Sequence, residues 1–227
     1  MPPNNIWIFG LGAAAEVSAS QVESIYGELA FRGFCVDDEY FLSDIHLGKP
    51  VIRYSELLKN RDSATIFTAL GYKNLNIDRE KVFKRIVFDG FRVTSLTYEF
   101  NKFEKISYGK NCLILRGSSI QPCVTIGDNV FIWSGATVCH HCILGNHIWI
   151  TAGATISGNT CIGDNVFIGA NASIVAGIKI GNNCFIGAGV LVDRSLPDNT
   201  VVIKKGDPIA SISSASFIKF LDRNRSY

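Results

Sequence analysis

Two adjacent imidazoles set between two thiols, Cys139-His140-His141-Cys142, are the group in this sequence best suited to chemistry. A neutral imidazole titrates near working pH and can take a proton in a transition state, a role that contributes roughly 10²- to 10⁴-fold to a rate. The flanking cysteines admit a second reading as a zinc site, and a third is a solvated corner pair with no chemistry. His147, after Asn146, reads as structural or as part of a cleft wall rather than as catalytic. A second candidate is the turn Gly10-Leu11-Gly12, which suits either close approach of a ligand phosphate or a plain structural turn. No full dinucleotide fingerprint accompanies it, so NAD is not expected.

The elements that must position these residues fall into two textures. In the first hundred residues, apolar runs alternate with helical spacing. Ile6-Trp7-Ile8-Phe9 predicts a strand that ends in the Gly-x-Gly turn, and Ala13 to Leu29 predicts a helix. Gly33 to Val36 predicts a second strand ending at Asp37-Asp38, and Ala64 to Leu70 a third ending at Gly71-Tyr72. Asn76 can cap a helix from Asp78 to Phe88, and Phe91 to Leu96 predicts a fourth strand. Strands alternating with helices imply a small, mostly parallel α/β sheet.

Beyond residue 110 an aliphatic residue recurs at every sixth position: Ile114, Ile120, Ile126, Ile132, Val138, Leu144, Ile150, Ile156, Ile162, Ile168, Ile174, Ile180, Ile186 and Val192. That period fits neither an amphipathic helix nor an alternating strand; it fits a parallel β-helix. A longer period of 18 residues joins Ile126-Gly127-Asp128-Asn129, Leu144-Gly145-Asn146-His147, Ile162-Gly163-Asp164-Asn165 and Ile180-Gly181-Asn182-Asn183, so three hexapeptides make one triangular coil. Two residues before each aliphatic position the side chain is mostly small or β-branched, as at Ala136, Cys142, Ala154 and Ala172, which suits a narrow interior. Neighbouring residues of a β-helix turn point to opposite sides, and Cys142 falls on an inward slot, which argues against convergence of both cysteines and both histidines on one metal. The register has no gap, so the active site is expected on the outer surface, and side-by-side trimers would cover an exposed face.

Composition narrows the function classes. The 22 basic and 20 acidic residues give a net charge of +2, with no basic stripe for nucleic acid or an anionic membrane. No apolar run approaches the roughly 18 to 20 residues that span a bilayer, and no signal-peptide pattern opens the chain, so a cytoplasmic protein is expected. Seven cysteines at irregular spacing read as reduced thiols rather than a disulfide framework.

Taken together, the repeats, Thr68-Ala69-Leu70-Gly71-Tyr72-Lys73-Asn74-Leu75-Asn76 and Cys139-His140-His141-Cys142-Ile143-Leu144-Gly145 resemble the bacterial hexapeptide-repeat sugar acyltransferases of the PglD/NeuD type. The resemblance covers nearly the whole chain. It implies a nucleotide-sugar-binding α/β domain over residues 1–99, a left-handed β-helix acyltransferase domain over 100–208, a C-terminal tail over 209–227 with a short helix near Phe217 to Leu221, and a homotrimer. It implies N-acetylation of a nucleotide-linked deoxyamino sugar by acetyl-CoA with no metal, through direct attack of the amine on the thioester. Its histidine base falls on His140, and His141 stands where the family often has the glutamate that orients the ring. Nucleotide contacts fall on Gly10, Leu11, Gly12, Asp37, Asp38 and Gly71, although Ala13-Ala14-Ala15 replaces the family's usual Gly-His at the first turn. Coenzyme A contacts fall on Trp149, Gly158, Ala170 and Ala188, with Lys204 or Lys205 meeting a phosphate, and Val202 to Pro208 resembles the closing segment that receives the adenine end. Two rival functions stand beside this one: O-acetylation of a sugar hydroxyl, as in the sialic acid O-acetyltransferases, and a non-catalytic trimer that binds a nucleotide sugar.

Overall fold

The computed structural model describes residues 3, 5–98, 100, 104–206 and 211–223. The N-terminal unit is built on strands β1 (Ile6–Phe9), β2 (Phe31–Val36), β3 (Ile45–His46), β4 (Lys49–Arg53), β5 (Thr65–Thr68) and β6 (Arg92–Val93), in the order β3-β4-β2-β1-β5-β6. All neighbours are parallel except β3 and β4. The chain leaves β1 toward β2 on one side and reaches β5 on the other, so the order reverses at β1, where an open sheet leaves a crevice beyond its carboxyl ends.

Helix α1 (Ala13–Tyr26) follows β1 and buries Ala14, Ala15, Ser18, Ala19 and Val22, small side chains that let it lie close on the sheet. It stops three residues short of the expected Leu29, because Gly27 takes φ +86° and returns its N–H to the Glu23 carbonyl. The segment between β2 and β5 also departs from expectation, holding the β3–β4 hairpin and the short helix α2 (Tyr54–Leu58). Helix α3 (Ile77–Phe88) forms as its spacing predicts, but Asn76 is no side-chain cap: it sits at φ +66°, fully buried, and its Nδ2 donates to the Val166 carbonyl at 3.3 Å. The expected fourth strand shortens to β6, since Leu96 instead bridges to Leu113 and starts the second unit.

That second unit is a left-handed parallel β-helix of two-residue strands in three sheets. One face runs from Leu113–Ile114 to Val201–Val202, a second from Ser119–Ile120 to Leu191–Val192, and a third from Ser107–Tyr108 to Lys179–Ile180. All fourteen periodic aliphatics lie in one buried core. The corner after the third face explains the Gly-Asx-Asn motif. The side-chain oxygens of Asp128, Asn146, Asp164, Asn182 and Asp198 each accept a backbone N–H from the preceding coil, at 2.7 to 2.9 Å. A Cβ on Gly127 would come within 2.6 Å of Asn146 Oδ1, so glycine makes room for the ladder. The next residue turns the corner at positive φ, where asparagine is least strained; Asn129, Asn165 and Asn183 do so, and His147 takes the same place at 59°.

The first face carries Leu113, Phe131, Trp149 and Phe167 outward, and all four are buried against the α/β unit in a shared core. Phe67 of β5 stacks on Phe131 at 5.6 Å. Arg79 of α3 is wholly buried between the units, donating from Nη2 to the Asn129 and Ile148 carbonyls, both at 3.2 Å, with its guanidinium 4.2 Å from the Phe131 ring centre. Asn111 closes the junction, accepting from the Thr68 N–H at 2.7 Å and donating to its carbonyl at 3.0 Å. In the tail, the helix spans Ser214–Arg223, longer than expected.

Candidate active site

His140 and His141 lie at the corner between the second and third faces, the corner opposite the face that carries the α/β unit. The His140 N–H donates to Gln121 Oε1 at 3.0 Å and its carbonyl accepts the Asn159 N–H at 3.0 Å, which fixes the backbone between neighbouring coils. His141 turns the corner at φ +59°, its N–H on the Pro122 carbonyl. The two side chains are exposed and joined through their Nδ1 atoms at 3.2 Å, with ring planes at 81°. Gly158, one coil on, lies directly under the His140 ring: a Cβ there would meet Cε1 at 2.6 Å and Nε2 at 2.8 Å. Cys142 points into the coil, its Sγ on the Ser157 carbonyl at 3.2 Å, and burial pushes its thiol up from the ordinary range. Among the described residues, no three His, Cys, Asp or Glu side chains gather in a way that would hold a metal.

At the carboxyl ends of β1 and β2 a cavity of about 490 Å³ is lined by Gly10, Leu11, Asp37, Tyr40, Leu70 and Val82. Gly10 is required there, with φ +119° and only 3.2 Å between a would-be Cβ and the Ala69 carbonyl oxygen. Asp37 is held by Arg85 Nη2 at 2.6 Å. Asp38, expected beside it, lies outside the cavity lining. Its carboxylate accepts Ser55 Oγ at 2.6 Å and the Ser55 N–H at 3.3 Å, bonds that hold its pKa below the usual carboxylate value and tie it to α2. Gly12 and Gly71 line a second cavity of about 410 Å³, between the first turn of α1, Tyr72 and the indoles of Trp133 and Trp149. The expected nucleotide contacts therefore divide between two neighbouring cavities that share Leu70.

The residues expected at coenzyme A divide as well. Ala170, Ala188, Lys204 and Lys205 surround one open cavity of about 670 Å³ near the end of the coil. Gly158 stands at a different corner, beneath His140. Trp149 is only 4% exposed, packed at the domain junction with Tyr72, Phe131 and Trp133, rather than in a groove along the coils. The expected Asp207-Pro208 closing contact lies outside the described residues. Sequence reasoning missed Gln121, Trp133 and Arg85. The signal for the aromatic row was present, since Leu113, Phe131, Trp149, Phe167 and Phe185 recur at the 18-residue period.

Two family models match the repeats, the bacterial transferase hexapeptide (six repeats) over residues 109–140 and the hexapeptide repeat of succinyl-transferase over residues 159–194. Fold and site define the class as a left-handed hexapeptide β-helix with an α/β domain on one face and a histidine pair on the opposite corner. Three solved structures share this fold over most of the chain. The acetyltransferase domain of PglB from Neisseria gonorrhoeae, in complex with acetyl coenzyme A, is 22% identical, with 87% of this chain and 95% of that one covered at a TM-score of 0.76. PerB from Caulobacter crescentus, in complex with CoA and GDP-perosamine, is 24% identical, with 87% and 92% covered at 0.76. WeeI from Acinetobacter baumannii is 21% identical, with 88% and 96% covered at 0.77. No curated protein sequence matches the chain. Among the described residues no helix is long and apolar enough to cross a membrane.

Proposed function

We propose that the chain is a cytoplasmic, homotrimeric N-acetyltransferase that moves an acetyl group from acetyl-CoA to the amine of a nucleotide-linked deoxyamino sugar, with His140 as general base. Residues 1–99 would hold the nucleotide sugar and residues 100–208 the coenzyme and the base. The observation that carries the reading is the His140 ring, laid on Gly158 at an exposed corner with Nδ1 engaged and Nε2 without a hydrogen-bond partner among the described residues. The sugar amine attacks the thioester carbonyl, His140 Nε2 takes a proton from the amine nitrogen, and collapse of the tetrahedral intermediate breaks the C–S bond, returning that proton to the departing thiolate.

Support for the substrate class comes from the two cavities. The first offers Leu11, Tyr40 and Val82 as apolar walls for a base. The second opens at the N-terminus of α1, where Ala13 and Ala14 line it and their N–H groups, unlike that of Ala15, find no backbone acceptor, which suits a diphosphate; two buried indole N–H groups beside it also lack an acceptor. Lys204 and Lys205 beside Ala188 suit the phosphates of coenzyme A. PerB, of the same fold, binds CoA together with GDP-perosamine, and the PglB domain binds acetyl coenzyme A. Placement supports an assembly: the cavities and His140 lie on opposite sides of one chain, and a neighbouring chain in a trimer would bring its histidine to the cavity.

The test is thiol release from acetyl-CoA with UDP-, dTDP- and GDP-linked 3-amino and 4-amino deoxysugars, comparing wild type with His140→Ala. Turnover of one sugar that falls on the order of 10²-fold or more in the variant is expected. Undiminished turnover in the variant would remove His140 from the reaction, and no turnover across the panel would remove the amino-sugar reading.

A further inference from the structure

We infer that His141 is a positioning residue that holds His140 in the Nδ1–H tautomer, acting as a neutral hydrogen-bond acceptor. The inference rests on the reading of His140 as the base. Two nitrogens 3.2 Å apart form a hydrogen bond only if one carries the proton and the other a lone pair. If His140 Nδ1 were the acceptor, its own proton would sit on Nε2, and that atom could take nothing from a substrate. With Nδ1–H donated to His141 Nδ1, Nε2 keeps its lone pair.

The backbone supplies an independent observation. His141 stands at positive φ (+59°), as do Cys123 at +64° in the preceding coil and Asn159 at +58° and Gly177 at +75° in the following ones, so the coil corner itself fixes where the His141 side chain leaves the backbone beside His140. The partner is not a fixed charge. Among the described residues the histidines paired with carboxylates are His46 with Glu16 and His147 with Glu80, and no carboxylate reaches His140 or His141. Because His141 is exposed, its own Nε2–H can be satisfied by water, so the acceptor role leaves no buried group unpaired. Gly158 completes the seat by carrying the flat of the ring.

The experiment is ¹⁵N NMR of imidazole nitrogens in the full-length protein. It has only four histidines, each assignable by single substitution. At neutral pH the expected spectrum shows His140 protonated at Nδ1 and unprotonated at Nε2, and His141 the reverse. In His141→Gly, which suits the positive φ and has no acceptor, His140 should shift to a mixture rich in the Nε2–H form. In His141→Asn, whose Oδ1 stands where His141 Nδ1 stood and can accept, the Nδ1–H form should return. With the turnover assay, His141→Gly should lose roughly 10- to 10²-fold in kcat with little change in KM for either substrate, and His141→Asn should recover most of it. A wild-type His140 protonated at Nε2, or one that keeps Nδ1–H in His141→Gly, overturns the inference. The spectrum is read on resting protein, so it stands apart from the catalytic reading: a correct tautomer with undiminished turnover in His140→Ala would sink only the latter.

Discussion

At the scale of single residues, the seat beneath His140 makes a sharper demand than the histidine itself. Gly158 has no positive φ, so its backbone accepts alanine; what an alanine Cβ cannot do is share space with the imidazole. Gly158→Ala should therefore leave the thermal midpoint nearly unchanged while lowering kcat on the order of 10²-fold, because the ring must rotate off its seat and lose its Nδ1 bond. Circular dichroism melts with thiol-release kinetics on the same preparations would check this, and a variant with normal kcat would show that the ring does not rest there in solution. The histidine was legible in the sequence as an imidazole at a coil corner. Gly158 was legible as a small residue at the site, expected against coenzyme A; its place beneath the His140 ring follows from the coil period as well, since it lies 18 residues after His140.

The elements meet along the aromatic face, where the α/β unit is fastened by side chains that reach from α3. His147 takes an asparagine's place in the corner ladder, with Nδ1 against Asn129 Nδ2 at 2.9 Å and Nε2 3.9 Å from Glu80 on α3. Burial lowers the pKa of His147, so the folded state favours the neutral ring; that stability is present above about pH 6.5, the unfolded value, and is lost as pH falls. Burial opposes the Glu80 carboxylate, but hydrogen bonds from Lys84 and Asn165 outweigh it and leave its pKa lowered, so its contribution is lost only at more acid pH. Thermal midpoints should thus drop between pH 7 and pH 5 in wild type and drop less in His147→Asn, which restores the ladder without a titrating ring; equal slopes would show that the pair does not report on docking. Arg79 gives a second prediction. Arg79→Ala removes two donors and the stack on Phe131, and should cost about 3 kcal/mol, while Arg79→Met, which keeps apolar contact, should cost less. Denaturant titration would rank the two. His147 was legible as structural, standing in the 18-residue motif where the other coils have asparagine, whereas Arg79 was not read from sequence, because a buried arginine has no local signature and only the partner surface shows that the position is buried.

For the whole molecule, the separation of His140 from the sugar-sized cavities decides what an assembly must do. If each site combines one chain's cavity with a neighbour's histidine, two separately inactive chains should complement. Chains carrying His140→Ala, co-expressed in equal amounts with chains whose second cavity is filled by Ala13→Trp, should assemble into mixed trimers with about a quarter of wild-type activity, the fraction of interfaces that keep both intact parts. Activity no greater than that of either variant alone would place the complete site within one chain. The two-unit architecture was legible because both periods were strong, six residues in the coil and the strand-helix alternation before it. The β3–β4 hairpin and α2 were not: their strands are short, one carries Pro50, and their hydrogen bonds come from a neighbouring strand rather than from a local pattern.

The Asx ladder that joins each coil to the next also makes the β-helix a gauge. Its side-chain bonds repeat at the same corner from Lys110 to Asp198 and allow no slack between layers, so length along the axis comes only in whole steps of about 4.8 Å. Three such steps separate the strand Trp149–Ile150, which closes the coil of His140, from Val201–Val202 beside Lys204. A donor anchored at the lysines and delivering its acyl group at the histidine would have its reach measured at roughly 15 Å by counting coils. Removing or adding one 18-residue turn would retune that reach by a single notch, and evolution could change which carrier fits by editing repeats without touching a single contact residue.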